Sequence, residues 1–263
     1  AAANIARADR VFKMGGAQAI AALASGTETV PRVDKILGPG NIFVQTAKRM
    51  VFGQVGIDTI QGPTEAMLIA DDSADPRWCA ADILGQAEHD PQAISIMITP
   101  SSGLAAQVDR EVEQQLKNAS RGEILRQALD DNGAIIVVDA IEEAIDLSNL
   151  YAPEHLCLMV RDLEKYIPLV KHAGALFLGE ASPHVLGDYV AGPSHALPTA
   201  GAARFSSALG VNEFLKVTSV IALSSREADS LSDAATVIAR AEGLEAHARA
   251  VESRGSAGTR QPG

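Results

Sequence analysis

Between residues 67 and 98 the chain reads MLIA (67–70), DDSAD (71–75), PRWCAADILGQAEH (76–89), DPQA (90–93) and ISIMI (94–98). Two short apolar runs flank a polar turn and a segment of helical length. Apolar runs of four or five residues bounded by turn residues suit buried strands. Pro76 fits the first turn of the intervening helix, where its missing N–H has no partner to lose.

The alternation continues outward. Residues 33–37 (VDKIL) lead into GPGN (38–41), and 42–52 read as a helix. Downstream, 104–118 form a polar amphipathic helix, 134–138 (AIIVV) a strand and 141–150 a further helix. Residues 157–160 and 175–178 add two strands. This pattern predicts an α/β fold in which helices cover a mostly parallel sheet. The rhythm breaks at 179–210, a Gly- and Pro-rich stretch long enough to be functional. Residues 211–223 are mixed, and 230–251 read as a helix broken near Gly243, with Ser230 as its cap and Asp233 three residues on. The opening AAANIARAD reads as the end of a helix already under way, which suggests an excised piece. The polar end, 253–263, reads as a mobile tail.

The 263 residues carry 22 basic and 33 acidic side chains, a net charge of −11. That balance opposes binding to nucleic acid or to an anionic membrane surface. No apolar run reaches the roughly 18 residues of a spanning helix. Hydrophobic residues make up 47% of the chain, enough for a sizeable core. The two cysteines, Cys79 and Cys157, sit among apolar neighbours and read as buried thiols in a reducing compartment.

Three clusters offer chemistry. Gln86 and His89, if both helical, share a face from which an amide oxygen and an imidazole nitrogen reach one borderline metal; His89 also suits a helix end facing the dipole. Glu154 and His155 are adjacent between a helix and a strand: a histidine takes protons near neutral pH and a carboxylate can activate water. A simple turn pair is the alternative. In GDYVAGPSH (187–195), Asp188 is a hard anionic ligand and His195 follows seven residues on, among glycines that permit close backbone approach. Glu242 and His247 flank Gly243 and, taken alone, look like surface residues. His172 and His184 read as structural. The glycines of MGGAQ (14–18) and GPGN precede helices whose N-termini suit phosphate, but neither forms the full dinucleotide fingerprint.

Seven strings appear in order: FKMGGAQAIAALA (12–24), VDKILGPGN (33–41), GQVGIDTIQGPTE (53–65), QAEHD, APEHL, GDYVAGPSHALPT (187–199) and ARFSSALGV (203–211). Together they closely resemble the histidinol dehydrogenase family, over residues 1 to about 252 and without its N-terminal portion. The resemblance implies incomplete Rossmann-like α/β/α domains, of the histidinol dehydrogenase and aldehyde dehydrogenase-like kind, with a small helical C-terminal segment. It places a partial nucleotide-binding domain at 1–65, the main α/β domain with zinc and catalytic residues at 66–208, and a dimer-crossing segment with a tail at 209–263.

It further implies a cytoplasmic, zinc-containing homodimer with shared active sites that uses NAD to oxidise L-histidinol to L-histidine through an aldehyde-level intermediate. By matching strings, Gln86, His89, Asp188 and His247 are the zinc ligands, the last crossing between subunits. Glu154 and His155 match the catalytic pair. His195 and Glu242 match substrate contacts, Glu242 also crossing the dimer, and Gln18 and Asn41 match nucleotide contacts. Thr64 stands where the family usually has a substrate-contacting serine, and its extra methyl group crowds that position. A related zinc dehydrogenase of another small alcohol, or a vestigial non-enzymatic fragment, are the alternatives.

Overall fold

A computed structural model describes residues 1–255. Five parallel strands form the main sheet: β3 (Glu65–Ala70), β4 (Ile94–Thr99), β5 (Gly133–Val137), β6 (His155–Met159) and β7 (Ala175–Leu178), in the order β5-β4-β3-β6-β7. A second, two-stranded parallel sheet pairs β1 (Lys35–Ile36) with β2 (Gly56–Ile57). The α/β class expected from the alternating pattern is therefore the observed one.

Burial on both faces explains why β3 is a continuous apolar run. Leu68 and Ala70 face α4 (Pro76–Ala87) and α5 (Ser102–Leu116), packing with Cys79, Ile83, Leu104, Val108, Cys157 and Met159. Met67 and Ile69 face the other way, against Ile141, Ala144 and Ile145 of α7 (Ile141–Tyr151), with Leu156 and Leu158. Successive strand residues thus feed two helical layers. Both cysteines are buried free thiols.

Several boundaries differ from expectation. The helix starting at Pro76, capped by Asp75, ends at Ala87, so His89 lies beyond it in a turn closed by its N–H to the Gln86 carbonyl (3.2 Å). Helix α6 (Gly122–Asn132) was not anticipated, because only a narrow stripe including Leu125 and Ala128 is apolar. The long loop contains a short helix, α9 (His184–Tyr189), and a 3₁₀ turn at Ala202–Arg204. Two further short helices are α1 (Ala2–Ile5) and α8 (Leu163–Tyr166). The expected cap Ser230 lies inside α10 (Ser225–Ala241). The actual N-cap is Ser224, whose hydroxyl accepts the Glu227 N–H while the Glu227 carboxylate reaches back to the Ser224 N–H (2.8 Å), a reciprocal capping box.

Two units can be distinguished, Ala1–Phe214 and Leu215–Gly263. In the second, α10 packs on α11 (Glu245–Gly255) across Gly243, which adopts a left-handed φ of 74°. Helix α11 continues through the start of the expected tail, whose remainder lies outside the described residues. Among the described residues, no helix is long and apolar enough to cross a membrane.

In the first unit, α2 (Gly16–Ser25) and α3 (Ile42–Val51) cover the small sheet around Ile20, Ala24, Ile36 and Val55. A buried ion pair fastens the adjoining loops. The fully buried Lys48 ammonium donates to Asp58 Oδ1 and to the Gly38 carbonyl (3.0 Å), while the Gly38 N–H donates to Asp58 Oδ2 (2.7 Å). Neighbouring Gln45 accepts the Gln61 N–H (3.0 Å) and donates to the Gly40 carbonyl (3.2 Å). Removing one partner of such a pair strands the other charge in the interior. Asp58→Ala should therefore cost about 3–5 kcal/mol. It should lower the urea midpoint, and Lys48→Met in the same background should restore much of the loss; an unchanged midpoint in Asp58→Ala would refute this role.

Candidate active site at the amino-terminal edge of the sheet

Strand pairing brings the candidate residues together. The register aligns Ala66 with His155, so Thr64 and Glu65 at the start of β3 lie beside Glu154 and His155 at the start of β6. The chain between α4 and β4 returns to the same edge and carries His89. A cleft of about 370 Å³ opens here, lined among others by Thr64, His89, Glu154, His155, Asp188 and His195.

His155 is 3% exposed. Its Nδ1 lies 3.0 Å from the Glu65 carbonyl, which can only accept, so Nδ1 carries a hydrogen and donates it. Its Nε2 faces Asp188 Oδ1 at 3.2 Å. Burial alone would lower the His155 pKa. The hydrogen bonds to Asp188 and Glu154 override it and push the pKa up to about 10. Burial likewise opposes the Asp188 charge, but the His155 hydrogen bond holds its carboxyl below the usual range.

A polar relay orients the second catalytic candidate. Gln86 Nε2 donates to Thr64 Oγ1, and the Thr64 hydroxyl donates to Glu154 Oε2 (2.8 Å). The same carboxylate oxygen accepts the Glu65 N–H (2.9 Å). The Thr64 hydroxyl thus links two site residues. With Nε2 committed to Thr64, the Gln86 amide oxygen is left buried without a hydrogen-bond partner. An orphaned acceptor of this kind calls for a cation or donor; an amide oxygen, an imidazole and a carboxylate are donor types that zinc accepts, and His89 and Asp188 line the cleft.

Among the other expected site residues, His195 is exposed on the cleft wall. Pro39 and Gly40 line the same cleft just before Asn41. The Asn41 side chain accepts the Val44 N–H (3.2 Å) as the N-cap of α3, and Gln18 lies exposed in the first turn of α2. Glu242 and His247 belong to the second unit, where they flank Gly243 and line an apolar cleft with Leu244 and Ile238.

Two groups beside the catalytic candidates were not singled out from sequence. Glu65 acts through its backbone carbonyl, which no residue pattern reveals. Its own carboxyl is buried, which raises its pKa, and accepts the Ala200 N–H (3.0 Å). His184, read as structural, is fully buried 5.5 Å from the His155 ring, centroid to centroid.

The approach of α9 depends on Gly187. A Cβ there would come within 2.5 Å of the Phe177 ring, and that ring stacks on His155 at 5.9 Å. Gly187→Ala must displace Phe177 or the helix carrying Asp188. The expected loss is about 1–3 kcal/mol, seen as a lowered Tm; full retention of Tm would contradict this packing.

Comparison with known proteins places the chain. The histidinol dehydrogenase family model matches residues 1–255. The chain is 56% identical over 254 residues to a histidinol dehydrogenase of Dehalococcoides mccartyi, covering 97% of this chain and 58% of that protein. It is 54% identical to one from Thermus thermophilus, covering 97% of this chain and 61% of the relative. A crystal structure of histidinol dehydrogenase from Elizabethkingia anophelis superposes with a TM-score of 0.89 at 40% identity, covering 96% of this chain and 58% of that one. The chain thus spans about three fifths of the length of these relatives, and it belongs to the histidinol dehydrogenase family.

Proposed function

We propose that the protein oxidises L-histidinol to L-histidine in two NAD-dependent steps, as the last stage of a cytoplasmic histidine biosynthesis, within a homodimer whose sites are shared between subunits. The observation that carries this reading is His155, held through Nδ1 with Nε2 directed at the cleft beside Asp188.

The buried, partnerless Gln86 oxygen supports a zinc site formed by Gln86, His89 and Asp188, with His247 donated across the dimer. Zinc in that site would hold the substrate through its amine and imidazole nitrogens, as a Lewis acid without redox chemistry. Asp188 would then be shared with the cation, and its hold on the His155 proton would weaken, leaving Nε2 available as a base. His155 Nε2 then takes the alcohol proton as hydride leaves the adjacent carbon for NAD, giving the aldehyde. Glu154, oriented through Oε2 by Thr64 and Glu65, takes a proton from water that attacks the aldehyde carbon, while His155 returns its proton to the former carbonyl oxygen and is again a free base. His155 takes the proton of the resulting hydrate as a second hydride leaves for a second NAD. Thr64, His195 and Glu242, the last also crossing the dimer, are assigned to substrate contact; Gln18 and Asn41 are assigned to the nucleotide.

Two hydride transfers require two NADH per L-histidinol, measurable by absorbance at limiting substrate. One NADH per substrate would contradict the scheme. The two histidine roles also separate. His155→Asn should slow oxidation by about 10²–10⁴-fold, the range of a lost general base, with zinc content retained. His247→Asn should lower zinc affinity and make the dimer more sensitive to dilution, because a ligand shared between subunits links metal binding to assembly. Zinc analysis and sedimentation of both variants check this; equal zinc loss in the two would remove the distinction.

A further inference from the structure

Directly beneath the candidate site lies a second cluster that the proposed mechanism does not use. Asp82, Cys157 and His184 bring a carboxylate oxygen, a thiol sulfur and an imidazole nitrogen within 4.8 Å of one another. His184 is fully buried and Cys157 is 3% exposed. Both His184 ring nitrogens and Asp82 Oδ2 are buried without a hydrogen-bond partner. Three partnerless polar atoms converging in one interior spot are not accounted for by packing.

The cluster repeats the layout of the site above it. Helix α4 supplies Gln86 to the upper layer and Asp82, four residues earlier, to the lower. Helix α9 supplies Asp188 above and His184, four residues earlier, below. Strand β6 supplies His155 above and Cys157, two residues on and on the same sheet face, below. Four helical residues rise about 6 Å and two strand residues about 6.6 Å, so the offsets agree. The same three elements thus present two stacked layers of donors. Helix α4 passes beside the His184 ring at Gly85, where an added Cβ would make ordinary contact with it at 3.7 Å.

We propose that Asp82, Cys157 and His184 form a second, structural metal site for a borderline divalent cation of the zinc class. One oxygen, one sulfur and one nitrogen donor form a set that such cations accept, with bonds of about 2.0–2.3 Å that small side-chain rotations can reach from the observed spacing. In the metal-free protein burial leaves each group poorly suited to charge: it raises the Asp82 pKa to about 6, raises that of the Cys157 thiol and lowers that of His184 to about 4. A divalent cation replaces the thiol proton and supplies the positive charge the pocket lacks. Bound there, it ties α4 and α9 to β6 directly behind His155 and Asp188.

Sulfur makes the test specific, because the upper donor set contains none. The metal-free protein is titrated with Co²⁺ and followed in the near ultraviolet, where thiolate-to-cobalt charge transfer absorbs. The expected result is a saturable charge-transfer band that survives in Cys79→Ser and is lost in Cys157→Ser. Cys79 is the only other thiol in the sequence and its Sγ lies 3.8 Å from Met159 Sδ. Cobalt binding without a thiolate band would overturn the proposal while leaving the upper site untouched, and a band that depends on Cys79 would overturn it as well. The unmodified protein and Cys79→Ser suffice for the decision if Cys157→Ser does not fold.

Discussion

The site hangs on one pairing register. Because β3 and β6 run parallel with Ala66 opposite His155, the Glu65 carbonyl meets His155 Nδ1, and the Glu65 N–H meets the Glu154 carboxylate. One peptide neighbourhood therefore orients both members of the catalytic pair. A shift of one residue would turn His155 to the opposite sheet face, toward α7 and away from α4 and α9. Both faces of β3 and β6 are apolar, so side-chain shape rather than polarity opposes that shift: each face is fitted to a different helical layer, and the packing of the core is also what positions the site.

The location of the site is unusual for a parallel sheet. Open α/β sheets generally bind ligands outside the carboxyl ends of their strands. Here that end is tied off by protein groups. Asp71 accepts the Ser73 and Arg161 N–H groups, both at 2.9 Å, and the Asp75 N–H donates to the Glu180 carboxylate at 2.6 Å. The cleft instead opens at the amino ends, where Thr64, Glu154 and the turn carrying His89 meet. The GPGN loop reaches this cleft from the small sheet, fixed by Lys48, Asp58 and Gln45 rather than by a dinucleotide fingerprint.

Strands buried on both faces were legible because they leave a continuous apolar run, as in MLIA and ISIMI. Strands β1 and β2 are too short to leave one, and α6 shows only a narrow apolar stripe. The cap of α10 was misplaced because Ser224 and Ser230 are each followed three residues later by an acid; only the longer Glu227 side chain closes the reciprocal bond. Within the site, the strings around Gln86, Glu154 and Asp188 were legible as motifs. The Glu65 carbonyl was not, since a backbone group leaves no trace in residue type. Nor was the burial of His184, which sits in a helix of six residues, too short to show a period.

The central proposal assigns different proton transfers to two adjacent residues, with Glu154 acting on the water that attacks the aldehyde and His155 acting in both oxidations. The most direct measurement compares the Glu154→Gln protein on L-histidinol and on its aldehyde, following NADH in single turnovers. The account predicts that the first oxidation proceeds at close to the unmodified rate while oxidation of the aldehyde slows by about 10²-fold or more, as expected for loss of a general base. Equal slowing of both steps, or an unchanged rate with the aldehyde, would contradict it.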